Sequence, residues 1–160
     1  MAAFLALSVL PACSTNGVGD RFSAVGHDPA QARMLAEARE LYARRAYGKA
    51  SKLYEKSVEL DAKNPSAWLG LAATYDQIGR FDLADKAYSR VTHLIGDTPQ
   101  VLNNKGYSYL LRGRLDDAKH TLAAAYRGAP DDDHIKHNIT LLNTKLAELG
   151  RPVVAVDFVE

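Results

Sequence analysis

The chain has a single cysteine, Cys13, among its 160 residues. A lone cysteine cannot form a disulfide within the chain, so the fold must be stabilised by its apolar core. No apolar run approaches the roughly 18 residues that a membrane-spanning helix needs. The net charge is only +1, which argues against a dedicated binder of nucleic acid or another polyanion. The composition, 47% hydrophobic and 24% charged, is that of an ordinary globular domain.

The longest apolar run lies at the N-terminus and leads to Leu10-Pro11-Ala12-Cys13. This tetrapeptide resembles a bacterial lipobox, in which a signal peptide is cut before a cysteine that then carries lipid. Leu10 and Ala12 fit the pattern, whereas Pro11 is uncommon at its position and no Lys or Arg precedes the apolar run. We therefore predict a signal peptide over residues 1–12 and lipidation at Cys13. The alternative is a cytosolic protein with an apolar N-terminus.

The segment after the cysteine, STNGVGDRFSAVGH at residues 14–27, is polar and rich in Gly and Ser. It lacks helical periodicity, which is typical of a flexible linker. An apolar segment that leads straight into a linker has no core to join, whereas a lipid anchor followed by a tether at residues 13–27 accounts for both. By resemblance to the usual sorting rule, Ser14 after the cysteine indicates the outer membrane. The predicted location is an outer-membrane lipoprotein facing the periplasm.

From residue 28 onward similar residues recur in the sequence at a constant spacing of 34 residues, as from Ala50 to Ala84. Internal repetition of this kind indicates stacked supersecondary units. Four series of small or apolar residues share the spacing: Ala50, Ala84 and Ala118; Tyr54, Tyr88 and Leu122; Leu41, Tyr75 and Tyr109; Tyr47, Phe81 and Leu115.

The middle copy, Trp68-x2-Leu71-Ala72-x2-Tyr75 followed by Ala84, resembles a tetratricopeptide repeat. The resemblance covers residues 31 to about 132 and implies an all-α solenoid of helix-turn-helix hairpins. Each hairpin leaves apolar faces that only a neighbouring hairpin can cover. The domain is predicted over residues 28–149, with repeats at about 31–64, 65–98 and 99–132, a capping helix at 132–149 and a tail at 150–160.

Residue types at the predicted helix ends agree with this division. Pro65 and Pro99 suit first helical positions, where a missing N–H costs nothing. Gly79 and Gly113 suit the turns between paired helices. In the capping helix, Ile135, Ile139, Leu142, Leu146 and Leu149 are expected to form one apolar stripe.

The tail ends in the β-branched, apolar segment VVAVDFV, at residues 153–159. It is expected to pack in extended form against the stack, to pair with a partner or to occupy the binding groove. The sequence does not choose between these.

Partner binding is assigned by the resemblance to the concave side of the solenoid, which the first helix of each repeat lines. This side usually holds a peptide or a partner helix. The residues predicted to line this side include apolar, aromatic and hydrogen-bonding side chains, a mixture that suits a protein partner. The predicted groove residues are Leu35, Arg39, Tyr42, Leu69, Asp76, Gln77, Asn103, Tyr107, Leu110, Leu111, His137 and Leu141.

Some members of the family clamp chaperone C-termini with Lys, Asn and Arg side chains. The equivalent positions hold Leu35, Arg39, Gly70, Gln100 and Asn104. These residue types do not make the clamp, so a cytosolic chaperone adaptor is disfavoured.

The sequence gives little evidence for a catalytic site or a metal site. His134 and His137 stand beside three aspartates, but the usual His and Cys framework of a metal site is missing, and surface residues of a helix are the better interpretation. No Ser-His-Asp order, phosphate-binding loop or H-E-x-x-H motif occurs. We predict no enzyme activity, no catalytic residues, no cofactor, no metal and no small-molecule substrate.

The first repeat has eight basic residues against five acidic ones, a net charge of +3. It is the repeat nearest the predicted tether, so this surface has two interpretations: contact with anionic lipid headgroups, or an ordinary solvated helical face, which is favoured.

Three functions remain open at this point. The first is an assembly scaffold for an envelope machine, with a secretin or pilus subunit as partner, because the size and repeat count resemble the tetratricopeptide lipoproteins of the Tad (Flp) pilus and the pilotins. The second is an envelope adaptor that regulates cell-wall synthesis or division. The third is a cytosolic interaction module without lipid. Architecture alone does not choose between them.

Overall fold

The computed structural model describes residues 29–155. The predicted signal peptide, the tether with Cys13 and residues 156–160 of the tail lie outside this range, so the predictions for them stay untested. Within it the chain forms seven α-helices and no β-strand: α1 (Pro29–Ala43), α2 (Tyr47–Leu60), α3 (Pro65–Gln77), α4 (Phe81–Ile95), α5 (Pro99–Leu111), α6 (Leu115–Gly128) and α7 (Asp133–Glu148).

Six of the helices form three consecutive hairpins, α1–α2, α3–α4 and α5–α6. Each hairpin packs on the next, and α7 covers α5 and α6 at the end of the stack. The second helices begin at Tyr47, Phe81 and Leu115, which belong to one of the series that the sequence repeats. The predicted all-α tetratricopeptide solenoid, with three helix-turn-helix repeats and a C-terminal capping helix, is confirmed.

The first helices of the second and third repeats start at proline. Pro65 and Pro99 open α3 and α5. The preceding residues cap these helices, because Asn64 Oδ1 accepts from the N–H of Ala67 at 3.1 Å and the hydroxyl of Thr98 accepts from the N–H of Val101 at 3.3 Å. Such caps satisfy backbone donors that the first helical turn leaves unpaired.

The turn inside each hairpin has one residue in the left-handed backbone conformation, at the same repeat position in all three. Gly79 and Gly113 have φ of 75° and 72°, and Arg45 takes their place in the first hairpin with φ of 59°. Each turn is closed by a hydrogen bond from the next N–H to a carbonyl near the end of the preceding helix, as in Ala46 N to Leu41 O at 2.8 Å. The backbone therefore keeps its repeat where the glycine is missing.

Most of the apolar interior of residues 29–155 falls into two clusters, and the fully buried Val91 of α4 and Val101 of α5 belong to neither. The N-terminal core joins α1 to α4 and contains several fully buried alanines where helices approach closely: Ala38, Ala50, Ala67, Ala72 and Ala84. The C-terminal core joins α5, α6, α7 and the tail, and its largest buried side chains are Leu122, Ile135, Ile139, Leu142 and Leu146. The solenoid is thus held together by two apolar clusters, one toward each end.

A polar network crosses from α3 to α4 and α5. Asp76 accepts from the hydroxyls of Ser108 at 2.6 Å and Tyr88 at 2.9 Å, and lies 3.5 Å from Arg112. Burial raises the pKa of Asp76, whereas these hydrogen bonds and the Arg112 charge lower it. Arg112 also pairs with Asp85 at 2.7 Å. Removing one member of such a network leaves buried partners unsatisfied.

The described part of the tail, residues 151–155, packs against the stack. Asn143 Oδ1 accepts from the N–H of Val154 at 2.8 Å, and Asn143 Nδ2 donates to the carbonyl of Val154 at 3.0 Å. Val154 is buried in the C-terminal core. Of the alternatives left open by the sequence, this described part adopts the packed one.

The predicted stripe of α7 is correct at four positions and wrong at the fifth. Ile135, Ile139, Leu142 and Leu146 are at most 1% exposed, but Leu149 is 56% exposed. The helix ends at Glu148 and the chain turns at Gly150, whose φ is 62°. Leu149 therefore leaves the helical face that the spacing assumed.

Candidate functional site

A groove of about 240 Å³ lies between the first helices of the three repeats. We call it the α1–α3–α5 groove. Tyr54 of α2 and Ile95 of α4 contribute from the second helices. Its lining is Arg39, Tyr42, Tyr54, Pro65, Ser66, Leu69, Gly70, Ala73, Ile95, Gln100 and Asn104.

The aromatic wall of the groove depends on a glycine. A Cβ added at Gly70 would lie 2.3 Å from Cε1 and 2.4 Å from Cζ of Tyr54, far inside contact distance. Glycine at this position lets the Tyr54 ring lie directly against α3, and Tyr54 is only 3% exposed. Burial raises the pKa of Tyr54, while the positive charge of Arg39 lowers it. The Tyr54 hydroxyl is therefore a neutral hydrogen-bonding group at neutral pH.

Three of the predicted groove residues line this space: Arg39, Tyr42 and Leu69. Arg39 is exposed and forms no ion pair with any residue between 29 and 155. Tyr42 stacks edge-on against Tyr47 with ring centroids 5.2 Å apart, and burial raises its pKa to about 12. Leu69 both lines the groove and packs on the N-terminal core.

Three others are buried inside the protein, which corrects the expectation that their side chains face a partner. Leu35 is 6% exposed and belongs to the N-terminal core. Asp76 is 4% exposed and is held in the polar network. Asn103 is 8% exposed and accepts from Asn138 Nδ2 at 2.9 Å. Each points from a first helix into the stack, where neighbouring groups pack on it or bond to it.

The remaining predicted residues lie outside the groove lining. Gln77, Tyr107 and Leu110 are half-buried, and Leu110 packs on the C-terminal core. Leu111 and Leu141 are each 40% exposed, and His137 is exposed. Partner binding by the set as a whole stays a prediction.

Three of the lining residues that the predicted set lacked had a positional signal. Gly70, Gln100 and Asn104 stand at clamp-equivalent positions, and the structure brings them together with Arg39 in one groove. Their residue types do not make the family's clamp, yet the positions still face the same space. Four of the five clamp-equivalent positions therefore line the groove, whereas the fifth, Leu35, is buried.

A second cavity, of about 200 Å³, lies between α4 and α5. Its basic residues are already neutralised: Arg112 by Asp85 at 2.7 Å, Arg114 by Asp117 at 2.8 Å, and Lys105 by Asp97 at 3.2 Å. The cavity therefore belongs to the packing of the third repeat on the second.

Two further findings concern membranes and metals. No helix within residues 29–155 is long and apolar enough to cross a bilayer. In the same range no group of three or more His, Cys, Asp or Glu side chains is placed to hold a metal ion. His134 and His137 are both exposed on α7.

Comparison with known proteins supports the tetratricopeptide resemblance. The family model of the tetratricopeptide repeat matches residues 41–106. No curated protein matches the sequence. Solved structures of tetratricopeptide proteins superimpose well on the chain at low sequence identity, and they show a shared tetratricopeptide fold.

Three of the matching structures illustrate the likeness. The Yersinia enterocolitica type III secretion chaperone SycD, in complex with a peptide of the translocator YopD, is 22% identical with a TM-score of 0.63, over 78% of this chain and 95% of SycD. Pseudomonas aeruginosa PilF is 20% identical with a TM-score of 0.64, over 76% of this chain and 56% of PilF. The first tetratricopeptide domain of Spaghetti (RPAP3), bound to an HSP90 peptide, is 16% identical with a TM-score of 0.62, over 73% of this chain and 93% of that domain.

Proposed function

We propose that the protein is a non-enzymatic scaffold that binds an extended segment of a partner protein in the α1–α3–α5 groove. The observation that carries this proposal is the groove itself, an open cavity of about 240 Å³ to which all three repeats contribute. SycD and RPAP3, which share the fold, were each solved with a peptide bound.

The lining defines the chemistry of the partner. Leu69, Ala73 and Ile95 provide an apolar surface for one side chain of the partner. Gln100 provides an amide that can bond to its backbone, and Asn104 provides its amide oxygen and one N–H, since its other N–H donates to the carbonyl of Gln100 at 2.8 Å. Arg39 stands at the same groove without an ion-pair partner among the described residues, so it favours an acidic group beside the apolar side chain.

We also propose that the scaffold is anchored at the outer membrane through lipid on Cys13, faces the periplasm and assists assembly of an envelope machine such as a Tad or type IV pilus or its secretin. Support comes from Leu10-Pro11-Ala12-Cys13 and from the fold shared with PilF. Regulation of cell-wall synthesis and a lipid-free cytosolic module are the alternatives.

The groove is tested by photo-crosslinking of the full chain in its native envelope. A photoreactive residue at Gln100 is expected to give a discrete adduct, and one at Lys86, which is exposed on α4, is expected to give none. Ala73→Phe fills the groove and should abolish the Gln100 adduct while the circular dichroism spectrum is retained. An adduct that survives Ala73→Phe in a folded protein would show that the partner binds elsewhere.

The anchor is tested separately. Cys13→Ala, or treatment with globomycin, should change the mature mass and keep the protein from reaching the outer-membrane fraction. Unchanged mass and fractionation would leave the cytosolic module as the better interpretation, without affecting the groove.

A further inference from the structure

The outward face of α2 carries a row of three lysines, Lys49, Lys52 and Lys56, which we call the lysine stripe. Their spacing of three and four residues puts them on one helical face, over about 10 Å of helix. All three are exposed. The opposite face of α2 packs into the protein through Ala50, Ser51, Tyr54, Ser57 and Val58.

The charges of the stripe are not neutralised within the described part of the chain. None of the three lysines forms an ion pair or a side-chain hydrogen bond with another residue between 29 and 155. Glu55, which follows Lys52 on α2, instead accepts from the Tyr75 hydroxyl at 2.9 Å and is turned toward α3. The three lysines therefore form no ion pair in this range, and the exposed Glu59, three residues after Lys56, adds one negative charge beside the stripe.

The repeat provides an internal comparison for this surface. In the second repeat the same three positions hold Leu83, Lys86 and Arg90. In the third repeat they hold Asp117, His120 and Ala124. The formal charge of the row thus falls from +3 to +2 to −1 across the solenoid, with histidine counted as neutral. The packing of a tetratricopeptide repeat does not require lysine here, so the charge is a feature of the first repeat.

Two properties of the stripe favour a lipid surface over a shaped protein partner. Lysines are flexible point charges, whereas recognition of a carboxylate in fixed geometry favours the planar fork of arginine. Leu60, which follows Lys56 by about one helical turn, is 64% exposed, and an apolar side chain beside a basic row suits the boundary between headgroups and acyl chains. We propose that the lysine stripe of α2 binds the anionic phospholipid headgroups of a membrane surface.

This binding leaves the groove open. The stripe lies on the face of α2 opposite its packed residues, and α2 contributes only Tyr54 to the groove lining. A membrane contact at the stripe is therefore compatible with a partner segment between α1, α3 and α5. The contact does not depend on lipid at Cys13, because it is made by the folded domain itself.

The test is co-sedimentation of the full chain carrying Cys13→Ala with vesicles of about 30 mol% phosphatidylglycerol in phosphatidylcholine, beside vesicles of phosphatidylcholine alone. The difference between the two isolates the charge contribution from that of the apolar N-terminus. Each lysine near an anionic surface contributes about a factor of five in partitioning. The triple variant Lys49→Gln, Lys52→Gln, Lys56→Gln should therefore bind the anionic vesicles roughly 100-fold more weakly.

A matched control removes the same charge from the other end of the solenoid. The triple variant Arg127→Gln, Lys136→Gln, Lys145→Gln is expected to bind within a factor of a few of the parent, and both variants should keep the parental circular dichroism spectrum. An equal loss of vesicle binding in the two triple variants would mean that binding depends only on the net charge of the protein, and this would overturn the proposal. So would parental binding by the lysine triple, no preference for anionic vesicles, or tighter binding to polyglutamate than to anionic vesicles at matched charge concentration, which would indicate an acidic protein partner.

Discussion

Arg45 holds a left-handed backbone conformation at the position where the other two hairpins have glycine. Its φ of 59° resembles the 75° and 72° of Gly79 and Gly113. A side chain with a Cβ costs about 1 kcal/mol or more in this conformation, and the hairpin stacking evidently imposes it. The Arg45 side chain is exposed and forms no ion pair within residues 29–155, so no ion pair in that range compensates for this strain.

Arg45→Gly should therefore stabilise the protein, by about 1 kcal/mol, in chemical denaturation followed by circular dichroism. Arg45→Ala removes the same guanidinium but keeps a Cβ, and should bring no such gain. Gly79→Ala is the converse change and should destabilise by about 1 kcal/mol. A gain in the alanine variant as large as that in the glycine variant would place the effect in the side chain and not in the backbone.

At the scale of residues, the sequence did not predict which side chains of the first helices are buried. The spacing of Leu35, Asp76 and Asn103 correctly placed them on first helices, but spacing cannot tell a side chain that faces solvent from one that faces the next helix. Asp76 shows the difficulty most clearly. Its carboxylate is buried because Ser108, Tyr88 and Arg112 converge on it, and these partners lie 12 to 36 positions away in sequence.

At the scale of elements, the end of the solenoid is completed by α7 and the extended tail together. Asn143 holds Val154 by both its backbone N–H and its carbonyl, and Lys119 Nζ donates to the carbonyl of Pro152 at 3.0 Å. Arg151 also pairs with Asp116 of α6. The β-branched composition of the tail predicted extended backbone, but its docking site uses polar side chains of α6 and α7, among them Lys119 and Asn143, which the apolar pattern does not predict.

Two adjacent valines test whether the tail contributes to stability. Val154 is 7% exposed and Val153 is 48% exposed. Val154→Ala removes two buried methyl groups and should lower the free energy of unfolding by about 1.5 kcal/mol. Val153→Ala should change it by less than about 0.5 kcal/mol. Urea denaturation of the two variants decides the matter, and equal effects would mean that the tail leaves its site in solution.

At the scale of the whole molecule, the constant repeat spacing was enough to predict the architecture. The hairpin order, the prolines that start α3 and α5 and the glycine turns of the second and third hairpins follow from local signals that recur from repeat to repeat, although Arg45 replaces the glycine in the first hairpin. The groove was harder to predict from the sequence, because its lining includes Tyr54, Gly70 and Ile95, which lie on three different helices. The close approach of the Tyr54 ring to α3 results from tertiary packing, and the repeat spacing does not predict it.

The division of the interior into two cores makes a prediction about how the molecule opens. In a solenoid each unit contacts only its neighbours, so the effect of a core substitution should fade with distance along the stack. Leu142→Ala in the C-terminal core should cost about 3 kcal/mol locally, since Leu142 is fully buried. Native-state hydrogen exchange should then show amides of α5, α6 and α7 opening more easily, while those of α1 and α2 change by less than about 0.5 kcal/mol.

Leu35→Ala in the N-terminal core is the mirror variant and should affect α1 and α2 first, because Leu35 packs within that cluster. The two variants together therefore separate local opening from global unfolding. A uniform loss of protection over all the described helices in both variants would contradict independent cores. It would show instead that the polar network around Asp76, which joins α3 to α4 and α5, couples them into one cooperative unit.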